Sequence, residues 1–256
     1  MTLRFSASGG SETPASVSRT ACASALALSV GFVLAILLLG ATVAAQTARR
    51  SQSPIQLAQR AYLDGHYEEV DQLTGPLDQR DPIVAAIRAR AAIARGRYTD
   101  AETLLRPVAA RAPASAAALE LGLLMKKLGR ADATPILRRV ATEASDLTIA
   151  GRALHAIGQF DEANSVFRDA ATRARKDPDL NTAWGELYLD AHQKADALEL
   201  FQAALEGDAK WTPALLGAAR SLSDDDPPQA VAAARKALEI NQIGRASCRE
   251  RVYVLV

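Results

Sequence analysis

The sequence is poor in cysteine, histidine and aromatic residues, and it carries no surplus of charge. Among 256 residues there are two Cys and three His, too few cysteines for a disulfide framework. Aromatics make up 5% of the chain, which argues against a β protein. Fifteen Gly and eleven Pro exclude a low-complexity or collagen-like chain. A formal net charge of +1 supplies no field to attract nucleic acid or an anionic membrane surface, so neither is expected as a partner. His-Glu-x-x-His, Gly-x-Ser-x-Gly and the Walker and Rossmann glycine runs do not occur, and these are the patterns that would announce a metalloprotease, a hydrolase or a nucleotide site. The reading is a non-enzyme with no cofactor and no metal.

What fills the 49% of apolar residues is mainly Ala and Leu, the best helix formers. An all-α chain is expected. Both ends differ from the middle. Arg4 and Arg19 precede a stretch from Ala21 to Ala45 without charge, densest in "LALSVGFVLAILLL", and Thr42-Val43-Ala44-Ala45 closes it with small residues. Residues 1–45 therefore read as a signal peptide cut after Ala45. The same stretch is long enough for an uncleaved membrane anchor, and Arg49 and Arg50 balance the arginines on the other side. Cys22 lies before the apolar stretch, where it cannot be a lipoprotein cysteine. Residues 46–52 form a linker.

At the other end, Ile243 to Val252 read "IGRASCRERV". This string resembles the in-frame translation of a sequencing adapter, ATC GGA AGA GCG TCG TGT AGG GAA AGA GTG. Residues 243–256, Cys248 included, are accordingly read as a non-native tail, and the natural gene is expected to continue beyond Gln242. Without the two ends the remaining 197 residues hold 25 basic and 27 acidic side chains and no cysteine. A cysteine-free body fits an oxidising, exported compartment.

One signature recurs through residues 53–241: Gly, any residue, an aromatic, then Ala or Val three positions on, then a large apolar residue. It appears as Gly65-His66-Tyr67…Val70, Gly96-Arg97-Tyr98…Ala101…Leu105 and Gly158-Gln159-Phe160…Ala163…Phe167. Weaker copies are Gly129…Ala133…Leu137, His192…Ala197…Phe201 and Asp224…Ala230…Ala234. The copies are spaced by 31, 33, 29, 34 and 32 residues. Each unit splits into two amphipathic helical halves, with the glycine where a left-handed turn is needed. Gly151 and Ala163 are small where helices must approach, and Phe160 and Phe167 fill the space beside them. Asp81-Pro82, Ala112-Pro113 and Asp177-Pro178 mark unit boundaries. Pro76 and Pro107 fall within second helices and are expected to kink or shorten them. Asp224-Asp225-Asp226 reads as a turn and helix cap.

This pattern resembles the tetratricopeptide repeat, a helix–turn–helix unit of about 34 residues. The fifth copy matches best, with Trp184, Gly185, Tyr188, Ala197, Phe201 and Ala204 at the signature places. The resemblance implies a right-handed superhelical solenoid of about six repeats, with the first helix of each pair lining a concave groove. Along that stripe lie Tyr62, then Arg90, Lys126, Lys127, Arg152 and His155, then Asp179, Glu186 and Asp190. The expectation is a basic stretch over repeats two to four followed by an acidic one, suited to an extended peptide with an acidic segment. The Lys and Asn clamp of the family's chaperone-tail binders is not recognisable at these positions. Solenoid ends need polar caps, and none follows Asn241 before the adapter-like string.

Two functional readings stand side by side. The first is an exported scaffold, periplasmic or secreted or inner-membrane anchored, that holds a protein or peptide partner in its groove and does no chemistry. The second is the N-terminal repeat region of a larger exported enzyme of cell-envelope or peptidase type. Membrane contact is expected only through the N-terminal segment.

Overall fold

Helix starts are written into the residue that precedes each repeat. Ser53, Asp81, Ser115, Asp146 and Asp177 each accept a backbone N–H of the following turn, and Pro54, Pro82 and Pro178 open three of those helices. A side-chain cap of this kind is worth about 1 kcal/mol, and proline at the first helical position gives up no hydrogen bond. The computed structural model describes residues 52–241. The signal or anchor segment 1–45, nearly all of the 46–52 linker, the tail 243–256 and both cysteines lie outside the described residues.

The described residues form twelve helices and no strand. They pair as α1 (Pro54–Leu63) with α2 (Tyr67–Thr74), α3 (Pro82–Ala94) with α4 (Tyr98–Arg111), and α5 (Ala116–Lys127) with α6 (Ala133–Glu143). Then follow α7 (Leu147–Ala156) with α8 (Phe160–Ala171), α9 (Pro178–Asp190) with α10 (Lys194–Gly207), and α11 (Thr212–Ser221) with α12 (Pro227–Ile240). None of these helices is long and apolar enough to cross a membrane.

The turn inside each of the first five pairs passes through a left-handed residue: Gly65, Gly96, Gly129, Gly158, and then His192 at φ 61°. The sixth pair turns differently, with Asp226 Oδ1 accepting the Gln229 N–H 3.1 Å away to start α12. Of the two prolines expected to disturb second helices, only Pro76 does so. Helix α2 ends at Thr74, whereas α4 runs on through Pro107 for 14 residues. Both Pro107 and Thr103, whose carbonyl the proline leaves unbonded, are exposed, so water can take the missing donor's place.

Packing follows small residues set against large ones. A Cβ on Gly151 would come within 2.5 Å of the Phe167 ring. Phe201, fully buried, lies under two glycines: a Cβ would approach its ring to 2.7 Å from Gly185 and 2.3 Å from Gly217. One aromatic thus ties the fifth pair to the sixth. Trp184 Nε1 and Tyr188 Oη both donate to Asn164 Oδ1, at 2.8 and 3.2 Å, so the fifth repeat's aromatics are fastened to the fourth.

The first helices α1, α3, α5, α7, α9 and α11 touch one another in succession, while the second helices pack chiefly on their own and the following first helix. A stack whose inner members are closer than its outer ones must curve, with the first helices inside. The curvature is strong enough to bring the two ends together. Arg60 on α1 is ion-paired with Asp208 and its Nη1 donates to the Lys210 carbonyl at 3.4 Å. Leu63 joins the apolar cluster of Phe201 and Trp211. Asn241 Nδ2 donates to the Leu63 carbonyl at 3.4 Å and its side chain lies directly over Gly65.

Candidate functional site

Because the first helices face inward and the ends meet, they line a concave, half-open cavity of about 430 Å³. Tyr62, Arg90, Lys126, Arg152, His155, Asp179, Glu186 and Asp190 all line it, together with Leu123, Thr182 and Trp211. Lys127 does not. Successive helix positions are about 100° apart and do not face the same way. Lys127 therefore turns away and stands 5.4 Å above the ring of Tyr98, on the second helix of the second repeat. Its place in the expected stripe is corrected.

The division into a basic stretch and an acidic one is also corrected, because of a residue the sequence reading passed over. Glu120 is buried on α5, with its side chain 7% exposed, and three guanidinium nitrogens stand around its Oε1, two of them donating hydrogen bonds, Arg90 Nε and Arg152 Nη2, and the third, Arg90 Nη2, in ion-pair contact. Their distances from it are 2.8 Å for Arg90 Nε, 2.7 Å for Arg90 Nη2 and 3.4 Å for Arg152 Nη2. Burial by itself would raise the Glu120 pKa, but the two guanidinium groups outweigh it and hold the carboxyl below its ordinary range. Burial likewise works to lower the Arg90 pKa, and Glu120 with Asp179 overcomes it and raises it. The Tyr62 phenol is pushed above its ordinary value by burial, only partly offset by Arg90. Two of the cations expected to be free thus share one buried carboxylate, which leaves the triad a single net positive charge.

The signal that would have revealed Glu120 is its spacing. It stands 30 residues after Arg90 and 32 before Arg152, close to the repeat length, in a helix otherwise apolar up to Lys126. Glu186 and Arg220 extend the alternation, 34 residues apart and paired at 2.8 and 2.9 Å. Along the inner face the sign changes at each repeat: Arg90, Glu120, Arg152, Glu186, Arg220. His155 Nε2 lies 3.0 Å from Asp190 Oδ2, joining α7 to α9 at the rim of the cavity. A neighbouring depression of about 450 Å³ shares this pair and includes Phe160 and Leu187.

His66 and His192 sit in the turns and His155 on the inner face, so the three histidines do not meet. Among the described residues, no group of three His, Cys, Asp or Glu is placed to hold a metal ion. The chemistry available in the cavity is that of hydrogen bonding and charge pairing.

No protein-family model matches the chain and no curated relative matches it. Solved structures do. A chain of the APC/C hetero-tetramer Cut9–Hcn1 aligns over 74% of this chain and 39% of its own, at 15% identity and TM-score 0.50. TTC0263, a thermophilic TPR protein of Thermus thermophilus, aligns over 72% of this chain and 97% of its own, at 20% identity and TM-score 0.47. MamA aligns over 62% of this chain and 96% of its own, at 18% identity and TM-score 0.39. With the period near 32 residues and the twelve paired helices, the fold is that of a tetratricopeptide-repeat solenoid. Six helix pairs of that type make up the described residues.

Proposed function

We propose that this chain is an exported, non-catalytic scaffold that holds a protein or peptide partner in the cavity lined by its six first helices. The observation that carries the reading is the cavity itself. Six separate helices contribute to it, and it is lined by charged and hydrogen-bonding groups in a size typical of ligand sites, about 300–1,000 Å³. Solenoids of stacked repeats characteristically use their concave surface for binding. Export rests on the uncharged stretch from Ala21 to Ala45 and on the cysteine-free body. The scaffold then works in the periplasm or outside the cell, or at the inner membrane facing the periplasm.

The test is capture of a partner by the tagged full chain, in parallel with Lys126→Glu, Asp179→Lys and Lys127→Glu. The two cavity variants are expected to lose capture by about tenfold or more, equivalent to about 1.4 kcal/mol, while Lys127→Glu keeps it. Equal loss from all three, or none from the cavity pair, would overturn the site. Mass determination of the mature N-terminus tests export: a chain beginning at Gln46 shows cleavage, an intact N-terminus with membrane association shows an anchor, and an intact soluble chain refutes both.

A further inference from the structure

The seam where the first repeat meets the end of the stack is narrow. Among the described residues, no helix of the first repeat packs along a helix of the fifth or sixth. A few side chains join them. Arg60 is ion-paired with Asp208, Leu63 enters the cluster of Phe201 and Trp211, and Asn241 reaches the Leu63 carbonyl. Gln59, Tyr62 and Leu63 on one side of the seam, and Trp211 and Pro213 on the other, all line the cavity. Parting the seam therefore widens the cavity, and a small rotation at each repeat is enough to part it.

One group on the seam opposes its closure. Asp64, the residue after α1, has its Oδ1 shut off from solvent without a hydrogen bond, and this atom meets Arg60 Nη1 only at 3.8 Å. Arg60 is already engaged across the seam by Asp208 and by the Lys210 carbonyl. A carboxylate so placed has lost water without gaining a bond in return, and a proton relieves it. We propose that the seam is a proton-operated latch on the cavity: Arg60 and Asp208 draw it shut, the ionised Asp64 carboxylate works to part it, and a proton on Asp64 lets it close. Burial raises the Asp64 pKa above its ordinary value, with Arg60, His66 and Lys210 working against this and Asp208 adding to it. A group that holds its proton more tightly in the closed form favours closure below its open-form value, about 3.9. That help is lost as pH rises through the higher closed-form value, and between the two the closed-to-open ratio falls by up to about tenfold per pH unit. The latch narrows the cavity in mild acid and widens it toward neutrality, whichever partner the cavity holds.

Trp211 reports on the seam. The chain has two tryptophans, and the other, Trp184, bonded to Asn164 of the fourth repeat, is removed as Trp184→Phe. In the full chain carrying that change, quenching of Trp211 fluorescence by acrylamide is followed from about pH 4.5 to about 7.5, the range in which a raised carboxyl titrates. Quenching is expected to rise with pH. It should stay low throughout in Asp64→Asn and high throughout in Arg60→Ala, and His66→Gln should keep the response. Circular dichroism checks that the helices are kept. Quenching that does not change with pH, or an Asp64→Asn chain quenched as fully as Arg60→Ala, overturns the latch. No partner enters this measurement, so that result leaves the reading of the cavity as a partner site untouched, whereas cavity variants with normal capture refute that reading and leave the latch standing.

Discussion

Replacing Glu120 by Met should damage the fold more than replacing Glu120 and Arg90 together. Glu120 Oε1 accepts hydrogen bonds from Arg90 Nε at 2.8 Å and Arg152 Nη2 at 3.4 Å and lies 2.7 Å from Arg90 Nη2, with the carboxylate side chain only 7% exposed and that of Arg90 20%. Methionine is close to glutamate in length and suits a helix, so Glu120→Met removes charge with little change in volume. It strands the Arg90 guanidinium in a cavity that water reaches poorly. Removing one partner of a buried pair costs about 3–5 kcal/mol, whereas exchanging the pair for apolar residues of similar size is often neutral. For a folded body of this size about 1 kcal/mol corresponds to roughly 2–4 °C, so the single variant should melt at least about 6 °C lower. The double variant Glu120→Met with Arg90→Met should recover more than half of the loss, because Arg152 makes only one contact with Glu120, at 3.4 Å, and loses less when it goes. Denaturant titration followed by circular dichroism on the full chain gives the stabilities, and the two single variants with the double complete a cycle. A single variant within about 1 kcal/mol of the parent would refute desolvation of Arg90, and additive losses in the double would refute the pairing.

Other consequences are simpler to state. Gly217→Ala should cost about 1–3 kcal/mol by driving a methyl into the Phe201 ring, and Phe201→Leu added to it should cost less than the two changes summed; thermal melts of the three variants decide. Glu120 is held below the ordinary carboxylate range in the folded chain, so its contribution is full above the unfolded value of about 4.3 and is lost as pH falls through the lower folded value. Glu120→Gln should therefore flatten the acid limb of stability against pH, and an unchanged acid limb would contradict the ion triad. Arg60→Ala should release the contact between the first and last repeats, seen as an increase in radius of gyration by solution scattering with helix content unchanged; an unaltered radius would show that the Leu63–Trp211 cluster and Asn241 hold the ends without Arg60.

The repeat was legible because each unit solves the same local problem. A left-handed turn needs Gly65, Gly96, Gly129 or Gly158, and a close helix approach needs Gly151 under Phe167, so the sequence shows those residues at one period. The inner stripe was legible to within its width: Lys126 faces the cavity and Lys127, one residue on, faces Tyr98. What escaped was whatever depends on two repeats at once. Glu120 looks like a stray charge in an apolar helix until Arg90 and Arg152 are placed on either side of it, 30 and 32 residues away. Read along the chain, the free charges sort into a basic run and an acidic run. Folded, they lie around one cavity, because curvature brings α9 back toward α3. The 148-residue separation between Arg60 and Asp208 is farther still from anything a local pattern encodes, since it accumulates from a small rotation at every repeat.

Curvature and charge set different properties of the cavity. An open groove admits a chain of any length, with energy spread over many contacts and no limit on what overhangs. Once Arg60 meets Asp208 and Asn241 lies over Gly65, the inner surface has ends, and length becomes a criterion for entry. Charge acts separately. Because Arg90 and Arg152 share Glu120, Arg220 pairs with Glu186, and Lys126 stands with Asp179 and Asp190 on the same lining, the cavity presents no strong field of one sign that would draw in any acidic or basic chain. Discrimination falls to the side chains that line the cavity and form no salt bridge among the described residues, Lys126 and Asp179. Arg60→Ala should therefore relax selection by length while leaving selection by charge intact, and Lys126→Ala should do the reverse. A single substitution that abolished both would mean that the two properties share one cause, contrary to the separation seen in the structure.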